Sequence, residues 1–294
     1  MSFRDIKPME LPLRERHQLL IGAIGPRPIA WVGTENKSGE PNLAPFSFFN
    51  AFSVNPPIVA ISPSFRGRDG SPKDTLLNIK ATGEFTISLV TYDLVDQVTI
   101  SSGSFSPAVD EFAKAGVRPL RSRIIGPSGV AESPCVFECK LIEHVELGSA
   151  GGGGNLLLGE VVHIHIDEDV FDDNGNIDPA RLDLVGRLGR RWYVRVNDGL
   201  FELENRIVTV PIGFDALPQS IRESDLLTAR ELTQLAGVTE LPERGEKIKL
   251  LSEKYATVPD AEVHKAIQSA LAAGDTVTAW SIIIATCDLP AEGR

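Results

Sequence analysis

Long apolar runs are missing from this chain. No stretch of its 294 residues approaches the roughly 18 apolar residues of a membrane span. The opening MSFRDIKPMEL has no apolar signal region either. The expectation is a cytoplasmic protein with no membrane segment. Cysteine is scarce, at three residues, which fits a reducing compartment rather than a disulfide scaffold. Cys135 and Cys139 stand four apart in a strand-like run, roughly 13 Å at about 3.3 Å per residue, too far to bridge. They read as core thiols. Positive charge is in deficit, with a net charge of −11. That argues against broad nucleic-acid binding. Any anion must be held by a local basic patch, and 66–73 offers Arg66, Arg68 and Lys73 against Asp69. A Rossmann fingerprint is absent. The glycine run 151–154 lacks the Lys-Ser/Thr of a phosphate loop and leads into a strand, so it reads as a mobile hairpin turn.

What is present concentrates in residues 27–75. The run APFSFFNAFSVNPP, 44–57, is apolar and aromatic but carries Ser47, Asn50, Ser53 and Asn55. A plain buried strand has little use for so many small polar groups. A strand that offers backbone amides to a flat, polar-edged ligand does. RPIAWVGT precedes it and IVAIS follows. Then FRGRDGSPKDT, 65–75, forms a basic, Gly-rich loop that opens a helix.

An amphipathic segment at 10–23 stops at Gly25-Pro26. Turn chemistry at 35–39 predicts a hairpin of strands 29–34 and 42–53, the second ended by Pro56-Pro57. Strands are expected at 58–62, 84–90, 133–147, 156–167 and 191–196. Short helices are expected from 74, at 94–101 and at 110–114. So many strands with few helices between them argue for a closed antiparallel sheet. From about 215 the pattern turns helical. Thr228 and Glu231 match a capping box, and helices are expected at 243–255 and 260–273. TVTAWSIIIATC has the β-branched content of a strand but the cap and neighbours of a helix; helix is favoured.

RPIAWVGT, NLAPFSFFNAFSVNPPIVAIS and KDTLLNIKATGEFTISLV together resemble the flavin reductase-like family of FMN-binding split-barrel proteins. VDEFAKAG, ESPCVFECKL, LGEVVHIHI and RLGRRWY extend the likeness to about residue 197. The resemblance implies a mainly β fold with helices: an antiparallel, Greek-key-like split β-barrel over 1–200, here with a helical extension at 215–294. It implies a homodimer that binds FMN, with FAD the alternative, and takes NADH or NADPH as co-substrate. Carried over by position, it sets Ser47, Phe48, Phe49 and Asn50 along the flavin ring. Ser62 and Ser64 fall towards the ribityl-phosphate, Lys73 and Thr75 at the phosphate, and Trp31 and Thr34 on the neighbouring strand. Arg187 and Tyr193 match a late region near the flavin or its reductant.

Residue chemistry agrees. A phosphate needs backbone N–H groups and a cation, which a helix amino end and Lys73 supply. The cofactor carries the redox chemistry, so no catalytic side chain is expected. Each feature alone has a plainer reading. The phenylalanines of 46–52 would be core, alternation sending Phe46, Phe48 and Asn50 to one face. Lys73 would be a solvated lysine, and Trp31 a buried barrel residue. Arg66 and Arg68 are as readily loop solubilisers. His163 and His165 share a strand face, but zinc needs three or four ligands. Spacing signals no third, although His144 lies on a neighbouring strand, so no metal is expected. The acidic cluster 167–173 has no calcium-loop spacing. Two functions remain open: an NAD(P)H-dependent flavin oxidoreductase, or a non-enzymatic flavoredoxin-like electron carrier or reductase partner of a monooxygenase.

Overall fold

Alternating apolar residues and short polar turns build one antiparallel sheet in the first part of the chain. The computed structural model describes residues 2–201 and 210–289. The chain divides into two units, Met1–Leu200 and Phe201–Arg294. The last five residues of the expected extension, 290–294, lie outside the described ones.

In the first unit, helix α1 (Leu13–Ala23) leads into β1 (Ala30–Glu35), β2 (Pro41–Phe46), β3 (Phe49–Val54) and β4 (Pro57–Ile61). Helix α2 (Asp74–Thr82) and β5 (Glu84–Leu89) follow, then α3 (Val95–Ser101), α4 (Glu111–Ala115) and the short β6 (Pro119–Leu120) and β7 (Gly129–Val130). The long hairpin β8 (Cys135–Glu146) and β9 (Asn155–Ile166) is succeeded by α5 (Pro179–Leu182), β10 (Val185–Arg187) and β11 (Tyr193–Arg195). Seven strands form a sheet in the order β2-β1-β5-β8-β9-β4-β3. Every pairing is antiparallel. The expected split barrel is therefore present.

The expected single strand over 42–53 is corrected. β2 pairs with β1 up to Phe46↔Ala30, while β3 pairs with β4 from Phe49↔Ile61. Ser47 and Phe48 form the bend that carries the chain from one edge of the sheet to the other. Side-chain alternation is broken there. Phe46 is buried whereas Phe48 is 39% exposed, so the two do not share one face of a continuous strand.

β1 is buried along both faces because it is covered on both sides. Ala30 and Val32 join Phe46, Ile61, Phe85 and Leu157 in one core, with Leu76 and Ile79 of α2. Trp31 joins Leu94, Val98 and Phe112 in a second core beneath α3 and α4. Loop 118–131 closes on the strand so tightly that a Cβ on Gly33 would lie 2.1 Å from the Ser128 carbonyl oxygen and 2.5 Å from Thr86 Oγ1. A backbone oxygen cannot swing aside. Gly33→Ala is expected to destabilise the fold by about 1–3 kcal/mol, read from urea unfolding.

The second unit has its own helical core. It contains α6 (Gln219–Arg222), α7 (Ala229–Ala236), α8 (Glu246–Tyr255), α9 (Asp260–Ala272) and α10 (Thr276–Thr286). The expected capping box forms: the Thr228 hydroxyl accepts from Glu231 N–H, and Glu231 accepts from Thr228 N–H at 2.7 Å. TVTAWSIIIATC is the helix α10, begun by Asp275, which accepts from Thr278 N–H at 2.8 Å. Residues 279–284 are all buried, so the middle of this helix is covered on every side. Trp280 donates its indole N–H to the Leu235 carbonyl at 3.0 Å.

Candidate functional site

The sheet-crossing bend is the centre of the site. The Phe48 carbonyl accepts from Ser62 N–H at 2.9 Å, which holds the bend against the end of β4. Ser47, Phe49, Ser62 and Ser64 are half-buried, and Asn50 and Phe48 reach the surface. The Asn50 side chain accepts from the N–H of Ala51 at 2.8 Å. Most of the residues expected along a flat ligand thus gather where β2, β3 and β4 meet.

The basic loop lies beside them. Arg66 folds back on its own loop, donating to the Pro72 carbonyl and to Asp74 Oδ2 at 3.0 Å. The Gly-rich turn is tied to the same loop: Phe65 N–H donates to the Gly153 carbonyl at 2.9 Å, and Gly152 N–H to the Phe65 carbonyl at 3.1 Å. Arg68 pairs with its neighbour Asp69 in solvent. Lys73 differs from both arginines. Its Nζ lies 4.8 Å from the centre of the Phe46 ring, and among the described residues it makes no ion pair. Burial pushes its ammonium below the usual lysine range, and the Arg66 charge pushes it further. Lys73 also takes the N-cap position of α2 without any side chain capping the helix. A desolvated cation beside uncapped helix N–H groups is an anion-binding arrangement.

Thr34 and Thr75 are held in a hydrogen-bonded knot with Asn42 and Asn78. Both threonines are buried. The Asn42 amide donates to Thr34 Oγ1 at 3.2 Å and Thr75 Oγ1 at 3.1 Å, while the Asn78 amide donates to Thr34 Oγ1 at 3.1 Å. This knot fixes the amino end of α2 against β1 and β2, and so positions Lys73.

Arg187 and Tyr193 are joined to the bend by Arg27. Arg27 and Arg187 exchange backbone hydrogen bonds at 2.9 and 2.8 Å. The Arg27 guanidinium donates to the carbonyls of Ile21 (2.6 Å), Ile24 and Leu188 (3.2 Å), and its Nε reaches Ser47 Oγ at 3.5 Å. Arg187 lies over the Tyr193 ring at 4.4 Å. Sequence reasoning missed Arg27 as a site residue, because Leu188 is 161 positions away.

Trp31 is not brought to the site. It is fully buried, and its indole N–H donates to Ser101 Oγ at 2.8 Å. Elsewhere on the sheet, Glu138 lies opposite His163 and accepts from His165 Nε2 at 2.6 Å. Their ligand-capable atoms lie within 4.8 Å of one another, so the third group that spacing did not signal is a carboxylate. Each Glu138 oxygen already has two partners: Arg123 N–H and His165 on one, Ile124 and Ile125 N–H on the other.

The antiparallel sheet and its edge-to-edge crossing define the class of protein, a split β-barrel. Comparison with known proteins agrees. The model of the family described as "Flavin reductase like domain" matches residues 23–181. The chain belongs to the flavin reductase-like family. An uncharacterized protein of Deinococcus radiodurans is 40% identical over 210 residues, 69% of this chain and 90% of that one. Nitrilotriacetate monooxygenase component B from Bacillus cereus has a similar structure, with TM-score 0.65 and 31% identity over 69% of this chain and all of that one. Flavoredoxin of Desulfovibrio vulgaris is similar at TM-score 0.52 and 27% identity, over 62% and 91%. No described helix is long and apolar enough to cross a membrane.

Proposed function

We propose that the first unit binds FMN and acts as an NAD(P)H-dependent flavin oxidoreductase. One observation carries the proposal: Lys73 is a half-buried ammonium with no carboxylate partner among the described residues, set at the uncapped start of α2. An FMN phosphate fits that donor set. Lys73 and the first N–H groups of α2 would hold it, with Arg66 adding positive charge. The Ser47–Phe48 bend, Phe49 and Asn50 would line the ring, with Ser62 and Ser64 between ring and phosphate. Bound FMN would supply the hydride-accepting chemistry. The chain's residues then have only to bind and orient it. Phe52 and Val54 of β3 are 67% and 93% exposed, which supports a homodimer covering this strand.

The test is anaerobic. NADH or NADPH is expected to bleach the flavin band of the FMN-loaded protein. The likeness to flavoredoxin supports a second reading, an electron carrier that passes electrons between proteins. The likeness to a monooxygenase component supports a monooxygenase as the acceptor. A flavin band unchanged by either nucleotide, but bleached by dithionite, contradicts the reductase reading and favours the carrier.

A further inference from the structure

The first unit has a second basic feature, built from residues outside the 65–75 loop. A hollow of about 1010 Å³ opens between the N-terminal arm, α1 and the tip of the β10–β11 hairpin. Its charged lining is Arg4, Arg14, Arg190 and Arg191 against the single Glu15, in a chain of net charge −11. None of the four arginines makes an ion pair among the described residues. Trp192 shares the lining and is 71% exposed. The other two tryptophans are buried and hydrogen-bonded through their indole N–H groups.

The placement is fixed rather than incidental. The hairpin tip closes through Leu188 N–H on the Trp192 carbonyl (3.0 Å) and Trp192 N–H on the Gly189 carbonyl (3.2 Å). Arg190 adopts φ 57°, a left-handed conformation unusual for a residue with a side chain. A Cβ on Gly189 would lie 2.9 Å from Gly22 Cα, so the tip rests directly on α1. Directly behind the tip, Arg187 pairs with Tyr193, and Arg27 ties this end of the hairpin to the Ser47 bend.

Guanidinium groups match phosphate oxygens in a paired, planar geometry. An exposed indole beside them offers a stacking face for a nucleobase. Four arginines exceed what the two charges of a dinucleotide's diphosphate bridge need, and arginine is the residue that accommodates a ribose 2′-phosphate. We infer that this hollow binds the adenosine end of the reductant, with the 2′-phosphate on the arginines and the adenine against Trp192. The reductant is then NADPH rather than NADH. The inference rests on the reading of the barrel as a nicotinamide-dependent flavin reductase, and deepens it by naming the co-substrate.

The experiment is calorimetric titration of the FMN-loaded, full-length protein with adenosine 2′,5′-bisphosphate and, separately, with 5′-AMP. The bisphosphate is expected to bind at one site per chain, at least tenfold tighter than 5′-AMP. In Arg14→Ala/Arg191→Ala, two exposed positions, its affinity should fall at least tenfold while FMN affinity and thermal melting stay as in the parent protein. No binding at millimolar bisphosphate overturns the inference. So does equal affinity for 5′-AMP, or an affinity unchanged in the double variant. The two readings fail separately. Selective bisphosphate binding without flavin bleaching by NADPH keeps the hollow and removes the reductase. Equal bleaching by NADH and NADPH without bisphosphate binding does the reverse.

Discussion

Lys73→Ala is expected to weaken FMN binding about 10- to 100-fold, since a hydrogen bond between charged partners contributes roughly 1.5–3 kcal/mol. Fluorescence titration of the ligand-free protein with FMN reads this directly. The same substitution should leave the ligand-free fold as stable as before, or slightly more so. Burial, and then the Arg66 charge, hold the Lys73 ammonium below its usual range. The unfolded chain therefore binds the proton more readily than the folded one does. Ligand-free stability should rise with pH between the lowered folded value and the ordinary lysine value of 10.5. Lys73→Ala should lack that rise. Lys80→Ala, an exposed change at the other end of α2, serves as the control and should leave FMN affinity unaltered. Equal affinity in Lys73→Ala and the parent protein would remove the phosphate role.

Glu138→Ala should be the most destabilising of the substitutions considered, by about 3–5 kcal/mol, because it strips the acceptor from several buried donors at once. Glu138 is fully buried, and its carboxylate gathers three consecutive backbone N–H groups, Arg123 to Ile125, together with His165. It is the clasp that holds loop 122–126 on the sheet. Glu138→Gln should recover little, since an amide offers one acceptor oxygen and turns an NH₂ towards N–H donors. Burial alone would raise this carboxyl. The bonds from Arg123 N–H, His165, and Ile124 and Ile125 N–H outweigh it and hold the group below the ordinary range. Its contribution is therefore complete above the ordinary value of 4.5 and is lost as pH falls through the lowered folded value. Urea unfolding at neutral and acid pH should show a steeper acid loss in the parent protein than in Glu138→Gln. Equal slopes would contradict the clasp.

Local chemistry was legible in the sequence; contacts between distant segments were not. The Thr228–Glu231 box and the turns around β1 and β4 depend on residues a few positions apart, and their signals are written in those residues. The Ser47–Phe48 crossing was hidden. The run 44–54 is apolar on both sides of it, so alternation reads straight through. Only the partners reveal the change, Ala30 before the bend and Ile61 after it. Trp31 invited a ligand role because nothing nearby in sequence points to Ser101, its hydrogen-bond partner 70 positions on. Glu138 reads as one of four charged residues in β8, with Lys140, Glu143 and Glu146, and nothing local sets it apart from them. Its partners come from a loop 13–15 positions earlier and from the facing strand. Lys73 was found from its place after a strand and before a helix, but its desolvation depends on the Phe46 ring and on Arg66, which only the fold brings together.

The central claim is that the sheet-crossing bend and the start of α2 hold one cofactor between them. A crystal structure of the protein grown with FMN tests it most directly. The account predicts the phosphate within hydrogen-bonding distance of Lys73 Nζ and the first N–H groups of α2, with the ring along residues 47–50. A flavin bound elsewhere, with the Lys73 ammonium untouched by it, would contradict the account.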